Sequence, residues 1–327
     1  MTDPALAPAS FASNSTLALQ GAVRLSDWGV IRARGADAAS FLQGQLTNDV
    51  AGLAPGQATL AGYCSVKGRL LASFVIWSPA AEEFLLACSA DLLAATLKRL
   101  SMFVLRAKCK LSDASAEVAL WGLAGQAATD PWGDHHPAAP WAVHVASATE
   151  QLVRLPDAAG VPRWLLAQAA DAAAPALPAL ADAHWRGLEA ASGVVRIVAA
   201  TADQFVPQMV NFEIVGGVNF KKGCYPGQEV VARSQYRGTL KRRAMLLALP
   251  AAEPAMAAGQ EVFHDADPGQ PGGMVALAGL GPDGAQLGLV EVKLALAQAP
   301  GAFHLGAADG PVLALQPLPY PLPVDQG

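Results

Sequence analysis

The sequence predicts an α+β fold with mainly antiparallel sheets, followed by an all-β domain. In the first 240 residues, apolar runs of strand length are mixed with a few helical segments, and residues 65–68 between two such runs have the composition of a hairpin turn. After Arg243 only strand-like runs remain, separated by glycine and proline turns. The chain has 327 residues, of which 53% are hydrophobic, so two or three domains are expected.

The first α+β region is predicted over residues 19–115. It opens with a strand or hairpin between residues 22 and 34, with Trp28 at the bend. Apolar side chains recur with helical spacing in residues 37–46 and 91–100, which predicts two amphipathic helices. Further strands are predicted at residues 57–64, 69–77, 83–88 and 103–111.

The second α+β region is predicted over residues 116–240. Residues 178–191 read as a helix that carries Trp185. The aperiodic stretch 199–217 contains Gln208 and Asn211, and long loops of this kind usually line a site. Strands are predicted at residues 118–123, 141–145, 151–155 and 163–167.

The C-terminal region, residues 241–320, is predicted to be a small antiparallel barrel or sandwich. The stretch from Gly279 to Gly284 satisfies G-x-G-x-x-G, but Pro-Asp-Gly leads from it into another strand, so we predict a hairpin and no dinucleotide site. The predicted strands are residues 244–249, 261–264, 274–280, 285–292 and 312–316.

Composition narrows the class of protein. Four cysteines lie far apart, and the N-terminus lacks a basic segment ahead of an apolar one, so we expect a cytoplasmic protein with reduced thiols and no membrane span. Residues 1–18 are small, polar and contain proline, which predicts a flexible N-terminus. The pair His135 and His136 lies among loop residues, so no metal site is predicted.

The stretch 221–233 carries the clearest chemical signal. Cys224 stands between Gly223 and Pro226, directly before a helix-forming run that begins at Gln228. A helix N-terminus and neighbouring lysines favour an anionic sulfur, so Cys224 is a candidate nucleophile or soft-metal ligand. The alternative is a small apolar residue packed under a loop.

Basic residues are concentrated around the same stretch. Residues 221–243 hold seven of the 22 lysines and arginines although the net charge of the chain is −5. Such a patch could bind phosphates or carboxylates, or it could be a solvated helix end. Its members are Lys221, Lys222, Arg233, Arg237, Lys241, Arg242 and Arg243.

Residues 222–229 resemble the K-G-C-[FY]-x-G-Q-E signature of the YgfZ-type folate-binding proteins, relatives of the glycine-cleavage aminomethyltransferase (T-protein). Residues 41–50, 67–69 and 205–211 are also similar, in the expected order. The resemblance implies a T-protein-like fold, in which two interleaved α+β domains and a C-terminal antiparallel β-barrel surround a central cavity for tetrahydrofolate or a one-carbon derivative.

The resemblance also implies site residues. Trp28 and Trp185 would be aromatic walls for the pterin, and the basic stretch would hold the glutamate tail. Cys224 would be the reactive thiolate, with Lys222 and Arg233 as further catalytic residues. The expected cofactor-binding residues are Trp28, Trp185, Gln208, Asn211, Tyr225, Gln228 and Glu229.

Two departures separate the chain from the aminomethyltransferases. Their Asp-Asp pair is replaced by Leu71 and Ala72, neither of which can transfer a proton, so glycine cleavage is not expected. Their R-x-E-A-G motif, counted back from Gly193, has Ala191 in place of the pterin-binding glutamate, which predicts weaker folate binding.

Three functions stay open at this point. The first is a tetrahydrofolate-binding accessory protein that supports iron–sulfur enzymes, including those that thiomethylate tRNA. The second is a folate-dependent one-carbon transferase with an undetermined acceptor. The third is a tRNA-binding module whose contacts would be Lys221, Lys222, Arg237, Lys241 and Arg242.

Overall fold

The computed structural model describes residues 19–238, 240–251 and 253–323. The N-terminal segment 1–18, predicted to be flexible, lies outside these residues. The first half contains β1 (Gly21–Arg24), β2 (Trp28–Arg34), α1 (Ala38–Gln43), β3 (Ala58–Cys64), β4 (Leu70–Ala80), β5 (Glu83–Ser89), α2 (Ala90–Ser101), β6 (Lys110–Asp113), β7 (Val118–Ala124), β8 (Val143–Ser147), β9 (Glu150–Ala158) and β10 (Val161–Ala169). The second half contains α3 (Asp182–Ala191), α4 (Gln228–Tyr236), β11 (Arg242–Leu249), β12 (Glu261–His264), β13 (Gly273–Leu280), β14 (Gln286–Lys293), α5 (Leu294–Ala297), β15 (Phe303–Leu305) and β16 (Val312–Gln316).

The strands form three antiparallel sheets. One has the order β3-β4-β5-β2-β6, the second has the order β1-β7-β10-β9-β8, and the third is a closed barrel of order β11-β14-β13-β12-β15-β16. Although β1 and β2 are adjacent in sequence, β1 pairs with β7 and β2 pairs with β5. The chain therefore crosses between the first two sheets at its very start, which confirms the interleaved α+β domains and the C-terminal barrel.

The apolar faces of the sheets bury one another in separate clusters. Phe74 and Phe212 belong to a cluster between the first sheet, the long loop and the barrel, whereas Trp77 and Trp185 belong to a cluster between the two α+β sheets. A third cluster fills the barrel interior. Each fully buried large apolar side chain contributes about 1.5–3 kcal/mol relative to its exposed state.

Close backbone contact fixes helix α3 against the barrel. A Cβ added at Gly187 would lie 2.0 Å from the Leu280 carbonyl oxygen, and one added at Gly279 would lie 2.1 Å from the Gly187 nitrogen. Only glycine at both positions permits this approach. This contact holds helix α3 in place, with Trp185, Leu188 and Glu189 buried on its inner side.

Some predicted elements are wrong. Of the strand predicted at residues 103–111, only residues 110 and 111 lie in a strand, β6, because Leu105 has a φ of +42° and reverse turns precede β6. Helix α3 begins at Asp182 rather than residue 178, since the backbone of Pro178 and Leu180 hydrogen-bonds to Ala22 on β1. Strand β15, only three residues long, was not predicted.

The G-x-G-x-x-G stretch forms the hairpin between β13 and β14, as predicted from its Pro-Asp-Gly turn. Gly281 donates its backbone N–H to the carbonyl of Ala285, and the two strands pair antiparallel on either side.

Candidate functional site

A cavity lies between the two α+β sheets and is closed on one side by α3 and the chain that follows it. Its volume is about 40 Å³. Its apolar lining includes Leu60 and Phe74 from the first sheet, Leu155 from the second, and Val194 and Val195 after α3. This lining is typical of ligand pockets, which are usually apolar with a few placed polar groups. The space itself has room for a few water molecules, so a ring-sized ligand requires the walls to move apart. We call this space the central cavity.

Two tryptophans contribute aromatic surface to the central cavity. Trp28 is half-buried at the start of β2, directly after the crossover between the sheets. Trp141 has a left-handed backbone with φ of +68°, and its N–H and carbonyl bond to Arg154 on β9 and Ala58 on β3. A left-handed conformation is costly for a bulky residue, so the bonds to both sheets hold Trp141 at the cavity wall.

A buried ion pair forms the polar part of the cavity lining. Glu189 on α3 accepts hydrogen bonds from Nε and Nη2 of Arg196, each 3.2 Å long. Arg196 also donates to Asp27 Oδ2 at 2.8 Å, and its guanidinium lies 4.9 Å from the centroid of the Trp28 ring. Burial alone would lower the pKa of Arg196, but the charges of Glu189 and Asp27 reverse this effect and raise it. The network therefore stays charged and fixes one face of Trp28.

A second buried arginine, Arg163 on β10, lines the same cavity. Its Nε and Nη2 atoms both donate to the carbonyl of Pro156, at 3.2 and 3.0 Å. Its guanidinium lies 5.4 Å from the centroid of the Trp185 ring. Burial lowers the pKa of Arg163 to about 10, against the opposing charge of Glu189.

The structure separates the two tryptophans that the resemblance paired as ligand walls. Trp28 lines the central cavity, but Trp185 is 2% exposed and belongs to the core cluster, with Gly122 against its ring and Arg163 over it. The second aromatic residue of the cavity is Trp141 instead. Trp185 is a core anchor because its helix turns the indole toward the second sheet.

Gln208 and Asn211, predicted to bind the cofactor, are fully buried and hydrogen-bond to the backbone of other elements. Gln208 donates to the carbonyl of Val231 on α4 at 2.9 Å. Asn211 adopts a left-handed conformation and donates to the carbonyl of Ala244 on β11 at 2.8 Å. Neither residue lines the central cavity. Their amides join the long loop to α4 and to the barrel.

The structure shows what surrounds Ala191, the residue in place of the motif glutamate. Ala191 is buried in the core, whereas Glu189, two residues earlier on the same helix, reaches the cavity. The cavity therefore contains a carboxylate in spite of the missing motif residue. Sequence reasoning missed Trp141, Arg163, Glu189 and Arg196, although the spacing of Glu189 four residues after Trp185 placed both on one helix face.

The signature loop, residues 221–227, lies away from the central cavity. Cys224 is exposed, and it is followed by the turn that ends at Gly227, the residue preceding helix α4. Helix α4 starts at Gln228, as predicted, but Cys224 stands four residues before that start. The influence of a helix dipole fades within one turn. The charge that interacts with Cys224 is therefore that of Lys222.

Lys222 attaches the signature loop to the end of helix α1. Its Nζ donates to the carbonyl of Leu46 at 2.6 Å and to that of Gln43. The ammonium also lies 5.0 Å from the centroid of the Tyr225 ring. Burial lowers the pKa of Lys222 to about 8, although the charges of Asp49 and Cys224 oppose the shift. Tyr225 is buried under the loop, where burial raises the pKa of its phenol.

Two glycines pack the signature loop against the hairpin between β3 and β4. Gly227 has a φ of +78°, and a Cβ there would lie 2.3 Å from the carbonyl oxygen of Ser65. Gly68 has a φ of +70°, and a Cβ there would lie 2.8 Å from the Val230 Cβ. Both positions require glycine for conformation and for space. The two segments that resembled the family signature thus meet in the fold.

Helix α4 presents its polar residues to solvent. Glu229 and Arg233 form an exposed ion pair of 3.2 Å with each other, and Gln228 is half-buried at the helix start. None of these three residues lines the central cavity. Tyr236 near the end of the helix is 70% exposed and lies in a shallow surface groove beside Arg233 and Arg237.

Some residues of the basic stretch are neutralised by ion pairs and others are not. Arg242 is paired with Glu291 at 2.8 Å, and Arg243 forms a buried pair with Glu213. Within the described part of the chain, Lys221, Arg237 and Lys241 are exposed and have no ion-pair partner. The predicted patch is therefore smaller than its sequence suggests.

The remaining cysteines are not candidates for chemistry at the surface. Cys64, Cys88 and Cys109 are buried, and burial raises the pKa of each thiol, to about 12 for the first two. Among the described residues, no group of three or more histidine, cysteine, aspartate or glutamate side chains could hold a metal ion. Within the same residues, no helix has the length and apolar character to cross a membrane.

Comparison with known proteins identifies relatives of this chain. The family model of the GCVT N-terminal domain matches residues 16–131. The tRNA-modifying protein YgfZ of Photorhabdus laumondii subsp. laumondii is 31% identical over 316 residues, which cover 95% of this chain and 95% of that protein. The protein of the same name from Edwardsiella ictaluri is 38% identical over 230 residues, or 67% of this chain and 68% of that protein.

Among solved structures, the glycine cleavage system aminomethyltransferase T from Bartonella henselae is similar. The alignment has a TM-score of 0.70 and covers 94% of this chain and 88% of that one, at 16% sequence identity. This likeness concerns the fold, in agreement with the three-sheet arrangement described above.

Proposed function

Because the chain belongs to the family of the tRNA-modifying YgfZ proteins, we infer that it is a tetrahydrofolate-binding accessory protein that supports tRNA modification by iron–sulfur enzymes. The observation that carries this proposal is the central cavity, where Trp28 and Trp141 meet a buried ion pair. Aromatic surface suits the flat rings of a folate, and the polar groups can fix its orientation.

The residues of the cavity fit a folate by their unused hydrogen-bonding capacity. Trp28 Nε1 is buried and has no acceptor in the described part of the chain. A buried donor without a partner costs about 1–3 kcal/mol, which an acceptor on a ligand would relieve. Trp28, Trp141, Arg163 and Glu189 are the residues proposed to hold the folate. Bound tetrahydrofolate would supply a carrier for a one-carbon unit.

The exposed thiol of Cys224 is proposed to act toward a partner rather than toward the folate. It faces solvent on the signature loop and does not line the central cavity. A single cysteine cannot hold an iron–sulfur cluster, which ordinarily has four ligands. Cys224 would therefore meet a cluster or sulfur species carried by another protein, with Lys222 keeping the loop in place.

Folate binding is tested with the purified protein and two tryptophan variants. Trp28→Ala is expected to weaken tetrahydrofolate binding about 10-fold in calorimetry, because it removes an aromatic wall. Trp132→Ala is the matched control, since Trp132 is half-buried outside the cavity and bonds to Glu150. Equal affinities for both variants and the wild type would contradict the proposed site.

The role of Cys224 is tested separately. Cys224→Ser is expected to bind tetrahydrofolate normally but to fail to restore thiomethylated tRNA nucleosides in cells that lack the protein, as measured by nucleoside mass spectrometry. Normal restoration by Cys224→Ser would rule out the reactive thiol. The folate result and the tRNA result can therefore fail independently.

A direct contact with tRNA is a second candidate, favoured by the surface around Tyr236. An exposed tyrosine beside two arginines is a combination on which unpaired bases can stack. Tyr236→Ala and Arg237→Ala are expected to weaken tRNA binding about 5- to 50-fold in filter-binding assays at low salt, with affinity falling steeply as salt rises. Binding that is absent or insensitive to salt would remove this candidate.

A further inference from the structure

The turn that follows helix α2 places three large apolar side chains in solvent. Met102 is 60% exposed, Phe103 44% and Leu105 87%. Val104 and Ala107 in the same turn pack against the core cluster of the first sheet. The backbone N–H groups of Phe103 and Ala107 donate to carbonyls within the segment, at 3.0 and 2.8 Å. The exposed apolar surface therefore belongs to an anchored turn.

The same segment is strongly basic. Residues 98–110 hold five of the 22 lysines and arginines and none of the 27 acidic residues, although the net charge of the chain is −5. All five are exposed, and within the described part of the chain none of them forms an ion pair. They are Lys98, Arg99, Arg106, Lys108 and Lys110. We call residues 98–110 the basic turn, which combines exposed apolar side chains with unpaired positive charge.

The basic turn and the signature loop are attached to opposite ends of helix α1. At the start of the helix, the backbone N–H of Lys108 donates to Oδ2 of Asp37 at 2.7 Å. At its other end, Lys222 of the signature loop donates to the carbonyl of Leu46 at 2.6 Å. Helix α1 has six residues and is therefore about 9 Å long. A standard protein interface, with about 800 Å² on each partner, is wider than this separation.

The combination of side chains in the basic turn favours a protein partner. The cores of protein interfaces are enriched in methionine, aromatic residues and arginine. RNA recognition uses cations and aromatic rings, and it gives no reason for the exposure of Met102 and Leu105. A membrane surface requires more apolar area than one turn offers, since even a single acyl chain binds only marginally.

The unpaired cations call for an acidic surface on that partner. We propose that the basic turn is the docking site for the iron–sulfur enzyme toward which Cys224 acts, with Met102 and Leu105 in an apolar pocket of the enzyme and the cations on carboxylates around it. This deepens the proposed function and rests on it for the identity of the partner.

The test measures by biolayer interferometry how tightly the full-length protein binds a purified iron–sulfur enzyme that thiomethylates tRNA, from the same organism. Leu105→Asn removes the most exposed apolar side chain, and asparagine tolerates the left-handed backbone with φ of +42°. It is expected to weaken binding about 10-fold at low and high salt alike. Arg106→Glu is expected to weaken binding about 10-fold at low salt and less at about 0.5 M salt, since salt screens exposed charges. Val312→Ser, which removes an exposed apolar side chain from the barrel, is the control and should leave the affinity unchanged.

Thermal unfolding at the wild-type temperature shows that a variant is folded, and should Leu105→Asn not fold, Met102→Ser decides by the same criterion. The inference is overturned if wild type does not bind the enzyme, or if either the apolar or the charge variant binds it as wild type does. Total tRNA and vesicles containing phosphatidylglycerol are measured in parallel. A loss of binding to either of these, with enzyme affinity kept, also overturns the inference. The proposed function is judged by folate binding and by the tRNA nucleosides, so it can fail while the docking result stands, and the reverse.

Discussion

The central cavity and the signature loop differ in how their key side chains are held. In the cavity, Arg163 on β10 is almost fully buried, as are Glu189 on α3 and Arg196 shortly after it. In the loop, Cys224 is exposed, and its neighbours Lys222, Tyr225 and Gly227 attach the loop to the rest of the fold. Recognition of a small ligand needs the first arrangement, whereas contact with a large partner needs the second. No residue of the signature loop lines the central cavity, so the two regions are separate in the described structure.

The largest difference in stability between the two regions is expected when the buried ion pair of the cavity is broken. Arg196→Met leaves Glu189 as an unpaired buried carboxylate and should lower the free energy of unfolding by about 3–5 kcal/mol. Urea denaturation measures this change. The matched variant is Arg233→Met on α4, which breaks an exposed pair with Glu229 and should cost less than about 1 kcal/mol. If both variants lost a similar free energy of unfolding, the buried pair at the cavity and the exposed pair on α4 would not differ in their contribution to stability.

A smaller effect is expected where the signature loop meets the hairpin. Gly227→Ala places a methyl group 2.3 Å from the Ser65 carbonyl oxygen at a φ of +78°, so it should destabilise the protein by about 1–3 kcal/mol and loosen the loop. Gly223→Ala is the control in the same loop, because a Cβ there would have no atom within 4 Å. Tetrahydrofolate affinity should stay at its wild-type value in both variants. A loss of folate affinity in Gly227→Ala would show that loop and cavity are coupled.

Thiol labelling compares the accessibility of Cys224 in the signature loop with that of the three buried cysteines. Of the four cysteines, only Cys224 is exposed, so the native protein should react with about one equivalent of an aromatic disulfide reagent at pH 8 and the denatured protein with about four. Cys224→Ser should abolish the native reaction. A second fast-reacting thiol in the native protein would show that one of the buried cysteines becomes accessible.

The smallest effect concerns alkaline pH. Burial raises the pKa of Cys64 and Cys88 from 9.0 to about 12, so the folded state keeps these protons where the unfolded state loses them. Their contribution to stability is therefore complete below pH 9 and is lost as pH rises toward 12. Urea unfolding across this window should show a decline that Cys88→Ala reduces. A decline of the same size in that variant would assign the effect to other groups, such as the buried tyrosines.

Local pattern was sufficient for much of the fold. The hairpin at residues 65–68, the helix starting at Gln228 and the rejected dinucleotide motif all follow from neighbouring residues, because turn chemistry and periodicity are local properties. Most of the strand predicted at residues 103–111 is absent because the chain turns there with a left-handed backbone at Leu105, which the apolar pattern of the segment does not indicate.

By itself, the sequence determined the fold class, the family resemblance and the position of Cys224 just before a helix. These are properties of residues that are close in sequence, and they do not depend on how distant parts of the chain pack together. The tertiary structure alone decided which side chains share the central cavity. Trp28, Trp141, Arg163 and Glu189 are far apart in sequence and come together because β1 and β2 join different sheets and α3 packs against the barrel through Gly187. Trp185 lies in the core for the same reason, since the orientation of a helix is set by what it packs against.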